Sequence, residues 1–382
     1  MKLEKFLSRF NIKIFIYLLI AVTALYTLAF TLVYNLKDDG YILADWLVNY
    51  QDGGFKRRGL SGSFFFLLQD MTGIRLNYLV YFVQFAIISS FFWYYTKLIR
   101  YKRTDLLYLS LLLSSIGFVG LLNTVTYVGK KEFIVFLIFT IFIYVLDRQQ
   151  LSKKKEYLLC FALVISTLLH EVTVFFVPYF AIGLYLKTGK LEYRRYIKYF
   201  LAAGIPAILI FVFGKNINEG QSLKILSDRG VHPVYGIFFW NINERQYIIQ
   251  HSKDYILYGL SFIISTFHIA YYLKFLTDRK LLSILLIGAF VFSIPLFYLA
   301  IDWGRWMYIH MMLMIVLFAL SLQNGRSVWD YQPVSINSKF YITCAIIILS
   351  LLYRVEMSGK GFTWEGLLYR IFIAPAELLN KM

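Results

Sequence analysis

The sequence predicts an all-α polytopic membrane protein, a transmembrane helical bundle of about eleven spans. Hydrophobic residues make up 59% of the 382 residues and charged residues only 16%. Soluble domains typically carry about 25% charged residues. Apolar stretches of about 18 residues or more, long enough to cross a bilayer as a helix, recur along the chain. Aromatic residues reach 19%, and Tyr and Trp collect where loops meet the membrane surface.

The net charge of +17 is explained by membrane topology rather than by nucleic acid. Lys and Arg are retained in cytoplasmic loops next to anionic lipid, and here they are scattered over short loops without forming a continuous stripe. The sequence contains no Walker A, dinucleotide-binding, His-Glu-x-x-His or Cys-x-x-Cys motif. Cys160 and Cys344 lie singly in apolar runs and predict no disulfide or metal site. We therefore expect no nucleic-acid partner and no nucleotide cofactor.

The predicted spans follow from the apolar runs and their basic flanks. Lys2, Lys5 and Arg9 precede the first run, so the N-terminus is predicted to be cytoplasmic. That run is too long for a signal-peptide core and lacks a small-residue cleavage site, so we expect it to be retained. The predicted single spans are Ile12–Tyr34, Leu76–Leu98, Asp105–Leu122, Glu132–Leu146, Ile197–Phe213, Tyr255–Leu276, Leu281–Ala300, Trp306–Leu322 and Phe340–Tyr353.

The stretch Tyr157–Leu186 is too long for one straight span and has basic residues on both sides, Lys153–Lys155 before it and Lys187–Lys198 after it. If both flanks are cytoplasmic, the chain must leave and return, with His170 and Glu171 at the turn. The alternative is one long tilted helix that contains a buried His–Glu pair. The hairpin completes the predicted count and places the C-terminus outside.

Three polar segments are predicted on the external side of a single membrane domain spanning residues 1–382. Residues 35–75 include the apolar piece Leu60–Leu68, which is too short to cross a core of roughly 30 Å and should lie in the interface or re-enter. Residues 214–254 are a candidate lid. Residues 354–382 are expected to form an interfacial amphipathic helix. Its apolar residues at helical spacing are Trp364, Leu367, Leu368, Ile371 and Phe372.

Four clusters that mix acids and bases fall on this predicted external side. Ionisable groups at the membrane edge are costly unless they are paired or face a wet cavity, so we predict that these clusters line one outward-opening pocket. The cluster Asp52–Gly59 supplies Lys56, Arg57 and Arg58, which suit phosphate oxygens. Contact with lipid headgroups is the alternative for this cluster.

Lys130 and Lys131 precede Glu132, which opens a predicted span. The helix dipole explains Glu132, whereas the two lysines oppose the dipole and so predict an anionic ligand. Glu171 and His170 are candidate proton acceptors, because burial can tune both toward neutral pH, or they satisfy each other.

Asp302, Trp303 and Arg305 lie in a tight turn between two predicted spans. They form either a sugar platform, in which the ring binds an apolar sugar face, or an internal salt bridge between interface-anchoring tryptophans. His268 and His310 lie within spans and are predicted to make hydrogen bonds between helices.

Lys130-Lys131-Glu132 before one span, followed by a hairpin with His170 near its middle, resembles the EpsG/Wzy-like group of exopolysaccharide and O-antigen polymerases. The acids Asp38, Asp39 and Asp52 are similar in placement to those of the broader GT-C glycosyltransferases. The resemblance covers residues 38–178 and is carried by no single diagnostic motif. The resemblance does not rest on the Asp52–Gly59 block as a whole or on the Asp302–Arg305 turn, which are not matched to features of these families.

The resemblance implies a polymerase of the bacterial inner membrane that moves a glycan between polyprenyl-diphosphate carriers at the external face. Such a reaction needs a group that accepts the proton of the acceptor hydroxyl and cations that stabilise the departing diphosphate. The candidate proton acceptors are Glu171, His170, Asp52 and Asp302. The candidate substrate- and diphosphate-binding residues are Lys56, Arg57, Arg58, Lys130, Lys131, Arg305 and Trp303.

With these cations no cofactor is predicted. A divalent ion at Asp38 and Asp39 is the alternative, and it fits a GT-C transferase that adds one sugar from a polyprenyl-phosphate donor. A transporter or flippase of lipid-linked oligosaccharide is a further alternative. Such a path needs polar residues through the depth of the bundle, and they are nearly absent from the predicted spans Asp105–Leu122, Ile197–Phe213 and Phe340–Tyr353. The expected partners are the lipid-linked glycan, membrane lipids, and the flippase and chain-length regulator of the same pathway.

Overall fold

The computed structural model describes residues 11–37, 41–148, 151–239, 243–276, 278–359 and 361–373. Over these residues the chain is helical and contains no β-strand, and its only strand-like pairing is three isolated bridges. The predicted all-α class is therefore confirmed.

The α-helices are numbered in chain order. The helices up to residue 148 are α1 (Ile12–Leu36), α2 (Leu43–Trp46), α3 (Gly59–Thr72), α4 (Leu76–Ile99), α5 (Leu106–Leu112), α6 (Phe118–Asn123) and α7 (Glu132–Arg148). The helices from residue 151 to 239 are α8 (Lys153–Leu169), α9 (Thr173–Phe176), α10 (Pro178–Thr188), α11 (Tyr193–Phe213) and α12 (Glu219–Asp228). The later helices are α13 (Glu244–Gln250), α14 (Ser252–Leu273), α15 (Arg279–Leu299), α16 (Trp303–Phe318), α17 (Ser338–Leu352) and α18 (Leu367–Phe372).

Within the described residues, 6 helices are long and apolar enough to cross a membrane. They are α1, α4, α11, α14, α15 and α16, the last continued by a short 3-10 turn to Ser321. Each corresponds to a predicted span, because a run of about 20 apolar residues is what a bilayer-crossing helix requires. Several apolar helices fit a multi-pass membrane protein. The count of eleven spans and the orientation remain predictions.

The predicted span Asp105–Leu122 is not one helix. Asp105 caps α5 by accepting a hydrogen bond from the Tyr108 amide at 2.8 Å, which is a standard way to satisfy a helix start. The helix ends before Ser114, and α6 begins at Phe118. A Cβ at Gly117 would lie 2.8 Å from the Leu111 carbonyl oxygen, so the chain doubles back closely at this break.

The stretch Tyr157–Leu186 is also interrupted, which excludes the alternative of one continuous tilted helix. Helix α8 ends at Leu169, and His170 is extended, with φ −155° and ψ 103°. Pro178 occupies the first turn of α10, where its missing amide donor is harmless. The predicted break at His170 and Glu171 is confirmed, whereas the side of the membrane on which it lies stays a prediction.

The described residues form two compact units. Unit 1 is drawn from Met1–Leu25, Tyr95–Tyr127 and Asn243–Met382, and unit 2 from Tyr26–Tyr94 and Val128–Ile242. In unit 1, α16 is almost entirely buried, since 89% of the residues in its apolar stretch are buried in the protein. The prediction of a single membrane domain stays a prediction.

Unit 2 has an apolar core to which two of the polar segments, residues 35–75 and 214–254, contribute buried side chains. Trp46 of α2, Phe65 and Phe66 of α3, and Leu226 and Phe238 from the predicted lid are all buried in this core. Burial of such side chains is worth about 1.5–3 kcal/mol each, so the segment around α12 is packed on α2 and α3 in this structure. This core supports the charged residues described below.

The C-terminal tail differs from its prediction. Arg354 and Thr363 form an antiparallel bridge through two backbone hydrogen bonds, so the helix starts only at Leu367. Trp364 therefore lies before the helix. Residues 374–382 lie outside the described residues.

Candidate functional site

A buried network of charged side chains lies within unit 2, and we call it the polar cluster. Its members come from α2, from the start of α3, from the start of α7 and from the break between α8 and α9. They are Asp45, Arg58, Lys130, Lys131, Glu132, His170 and Glu171. The structure thus brings together residues that are more than a hundred positions apart in sequence.

Arg58 is clamped by two carboxylates. Its Nη1 lies 2.7 Å from Oδ1 of Asp45, and its Nη2 lies 2.9 Å from Oε1 of Glu171. Its Nε also donates to Glu171, at 3.2 Å from each carboxylate oxygen. Charge-assisted, multidentate bonds of this kind are the strongest that side chains make.

The backbone of Arg58 is unusual. With φ 63° it is the single non-glycine residue of positive φ among the described residues. The left-handed conformation costs an L-residue roughly 1–2 kcal/mol, and such strain is concentrated at functional sites. Four residues later, in the first turn of α3, Gly62 packs so closely on the preceding loop that a Cβ would overlap the carbonyl oxygens of Val48 and Leu47.

His170 lies between two carboxylates. Its Nε2 is 3.1 Å from Oε1 of Glu132, a distance at which the imidazole donates a hydrogen bond. Its Nδ1 is 3.7 Å from Oε2 of Glu171. Because the ring is 1% exposed, these carboxylates fix its orientation, as carboxylate partners commonly do for functional histidines.

The two lysines before α7 are buried at the edge of the cluster. Lys131 donates to the Ser61 hydroxyl at 2.9 Å and lies over the ring of Trp46, 5.7 Å from its centroid. Lys130 donates to the carbonyl oxygen of Tyr41 at 2.6 Å. Both ammonium groups therefore sit among polar and aromatic partners that favour a cation.

The charges of the cluster shift one another's pKa. Burial would raise the pKa of Asp45, but Lys131 and Arg58 outweigh it and hold that pKa below its ordinary value. Burial likewise opposes ionisation of Glu171, yet Arg58 and His170 hold the pKa of this carboxyl well below its ordinary value. Burial lowers the pKa of Lys131 to about 8, with Asp45 partly offsetting it. Both acids are thus ionised at neutral pH.

The three carboxylates of the cluster differ in exposure. The Glu171 side chain is 22% exposed, against 6% for Asp45 and 4% for Glu132. Arg58 is 12% exposed. A ligand that approaches this network can therefore reach Glu171 and Arg58 more readily than the other two acids.

Asp52 and Lys56 form a separate, fully buried pair in unit 2. Lys56 and the hydroxyl of Ser222 both donate to the Asp52 carboxylate. Ser222 belongs to α12, so this pair fastens α12 to the loop before α3. In this arrangement Asp52 and Lys56 satisfy each other, whereas Arg57 is exposed.

Asp302, Trp303 and Arg305 belong to unit 1. Arg305 Nη1 lies 3.1 Å from Oδ2 of Asp302. This is the internal salt bridge that the sequence suggested as the alternative to a sugar platform. The indole nitrogen of Trp303 donates to the Phe297 carbonyl at 2.7 Å, and its ring packs edge-on against Tyr255 at 5.0 Å. Trp303 is thus held by its own neighbours.

Sequence reasoning left Asp45 and Glu132 out of the candidate site. Asp45 carried a detectable signal, since it is a lone acid in the short apolar segment Leu43–Trp46, and a buried acid needs a partner. Glu132 was assigned to the helix dipole alone, whereas the structure also pairs it with His170. The pairing partners could not be read from one sequence.

Other candidates are quickly placed. His268 and His310 are buried and hydrogen-bonded to Ser110 at 2.9 Å and Ser293 at 2.8 Å, which confirms their prediction as helix contacts. Asp38 and Asp39 lie outside the described residues. Over the part of the chain that is described, no group of three or more His, Cys, Asp or Glu residues is arranged to hold a metal ion.

The polar cluster combines the elements of two chemical functions. A guanidinium with two lysines can bind an oxyanion, and a carboxylate next to an oriented imidazole can accept a proton.

Comparison of the chain with protein-family models, with curated proteins and with solved structures finds no match.

Proposed function

We propose that this protein is a membrane-embedded polymerase of the inner membrane that transfers glycan between polyprenyl-diphosphate-linked oligosaccharides on the external face during surface polysaccharide synthesis. The observation that carries the proposal is the Arg58–Glu171 contact at 2.9 Å, with His170 beside it. Arg58, a candidate diphosphate-binding residue, therefore lies next to Glu171, a candidate proton acceptor. Arg58 and Glu171 are more exposed than Asp45, Glu132 and His170 of the polar cluster.

The reaction assigns a role to each group. The acceptor hydroxyl oxygen attacks the anomeric carbon of the donor sugar and forms the new glycosidic bond. The bond from that carbon to the diphosphate oxygen breaks, and the diphosphate leaves with the electron pair. The hydroxyl proton passes to Glu171, with His170 as the neighbouring acceptor. Arg58 and Lys131 stabilise the negative charge that develops on the leaving diphosphate.

The experiment compares a deletion strain that is complemented with wild type, Glu171→Gln or Arg58→Ala. Loss of the proton acceptor should lower polymer formation by about 100-fold or more, and single repeat units should accumulate on the lipid carrier. Gel profiles of the polysaccharide and mass spectrometry of the lipid-linked glycans measure the two results.

The matched control is Asp70→Asn. Asp70 also accepts two hydrogen bonds from an arginine, Arg229, at 2.8 and 3.1 Å, but its side chain is 59% exposed. This variant should make polymer of normal length. Long chains that persist in both cluster variants at wild-type protein levels would exclude the assignment of the polar cluster.

A further inference from the structure

The two carboxylates on Arg58 occupy different edges of the guanidinium. Asp45 contacts Nη1, whereas Glu171 contacts Nε and Nη2. The Nε–Nη2 edge is one of the two-donor edges with which arginine binds phosphate bidentately. Glu171 therefore occupies an edge that an incoming oxyanion can use.

The charges of the cluster determine what an added anion must do. Among its described residues, His170 aside, the cations Arg58, Lys130 and Lys131 face the carboxylates Asp45, Glu132 and Glu171. A diphosphate that enters this balanced network meets a carboxylate at each guanidinium edge. Because like charges at close range repel strongly in a poorly solvated site, one of the two carboxylates must move away from Arg58 when the diphosphate binds.

The candidate to move is Glu171. Its side chain is 22% exposed, so it can rotate toward solvent, whereas Asp45 at 6% cannot do so without leaving a buried charge uncompensated. Asp45 lies on the short helix α2, next to the core residue Trp46. Asp45 can thus hold Arg58 while Glu171 is displaced.

We infer that the donor diphosphate and Glu171 compete for the same edge of Arg58, and that Asp45 is the positioning residue that keeps Arg58 in place during the exchange. The identity of the anion rests on the proposed function. Binding of the donor separates Glu171 from the cation that suppresses its basicity, so the proton acceptor becomes competent only when a leaving group is present. Without a donor, Arg58 keeps Glu171 a poor base.

The test measures binding of inorganic pyrophosphate to the purified full-length protein by calorimetry at pH 7. Glu171→Gln removes the competing charge and should tighten binding by about tenfold, which is about 1.4 kcal/mol. Asp45→Asn should weaken binding by a similar factor, because Arg58 loses its second support. Asp45→Glu retains the charge and should restore part of the affinity. Asp70→Asn should bind as wild type does.

Unchanged or weaker binding in Glu171→Gln would overturn the exchange, whatever happens to polymer formation. Because Asp45→Asn can fail to fold, its melting temperature is compared with that of Asp45→Glu, and the Glu171→Gln result stands independently. Equal affinity for inorganic phosphate, or equal competition by phosphatidylglycerol vesicles, would show a monophosphate or headgroup site and would also overturn the inference. If only the proposed function is wrong, Glu171→Gln will still bind pyrophosphate more tightly than wild type, but its polymer will have normal length.

Discussion

At the scale of single residues, Arg58 influences the charge state of two acids at once. It contacts Asp45 at 2.7 Å and Glu171 at 2.9 Å. Lys131 and Arg58 hold the pKa of Asp45 below its ordinary value, and Arg58 and His170 do so for Glu171. Removal of one partner from such a buried group costs about 3–5 kcal/mol, because the remaining charge is left uncompensated. The network should therefore tolerate isosteric changes at its exposed member better than changes at its buried ones.

This coupling predicts loss of stability in acid. A carboxyl whose folded-state pKa is lowered contributes stability that is fully present above its unfolded pKa of about 4 and is lost as the pH falls from there toward the folded value. The melting temperature of wild type should thus fall below about pH 4. Glu171→Gln lacks one such acid, so the melting temperature of this variant should fall less than that of wild type between about pH 6 and about pH 3. These two values lie on either side of the ordinary carboxyl pKa.

The control for this measurement is Asp228→Asn, which changes an exposed acid of α12. Its acid-induced loss of melting temperature should equal that of wild type. If Glu171→Gln and wild type lose equal stability over the same interval, Glu171 is not held ionised by Arg58.

At the scale of elements, the start of α3 depends on close backbone contact. The Gly62 amide donates to the Val48 carbonyl at 2.9 Å, and this contact fixes the helix beside the loop that follows α2. Arg58 precedes the helix in a left-handed conformation, so a displacement of α3 would move its guanidinium away from Asp45 and Glu171. Helix packing and site geometry are thus coupled through a few residues.

Gly62→Ala is expected to destabilise the protein by about 1–3 kcal/mol, because the new Cβ would overlap backbone oxygens that cannot move freely. Thermal unfolding in detergent measures the change. The control is Gly204→Ala in α11, where, apart from the adjoining residues and backbone of its own helix, no atom lies within 4 Å of the new Cβ. There alanine should be neutral or stabilising by up to about 1 kcal/mol. Equal melting temperatures for the two variants would contradict the close-packing argument.

The elements also show what a sequence can predict. The long helices were predictable because length and apolar character alone define a candidate span. The break at His170 was predictable from the basic residues on both sides of Tyr157–Leu186. The break between α5 and α6 was not, since it depends on how closely Gly117 approaches Leu111, a contact that hydropathy does not encode.

At the scale of the whole molecule, the sequence predicted which residues would meet in a buried charged network better than it predicted their pairing. Arg58, Lys131, His170 and Glu171 were candidates and do meet in unit 2. Asp52 and Lys56 were also candidates, but they neutralise each other four residues apart in the loop before α3. Charge and polarity mark a residue as unusual, whereas only the fold decides whether its partner is another side chain or a ligand.

The predicted sidedness of the chain fits the proposed chemistry, because lipid-diphosphate donors are expected at the external face. The distribution of Lys and Arg predicts that residues 35–75 are external and that the connector around Lys154 is cytoplasmic. In a variant with Cys160 and Cys344 changed to serine, a membrane-impermeant maleimide should label Gln51→Cys in intact spheroplasts. Lys154→Cys should react only after lysis. Both positions are exposed in the structure.

Labelling of Lys154→Cys in intact spheroplasts, with Gln51→Cys protected, would invert the predicted orientation and place the loop before α3 in the cytoplasm. Arg58 and Glu171 would then face nucleotide-linked sugars rather than exported lipid-linked repeat units. A denatured, fully labelled sample of each variant normalises the reaction yield, so that a buried thiol is not mistaken for a cytoplasmic one. The proposed anion-binding edge of Arg58 would remain, but the proposed polymerase would lose its substrate.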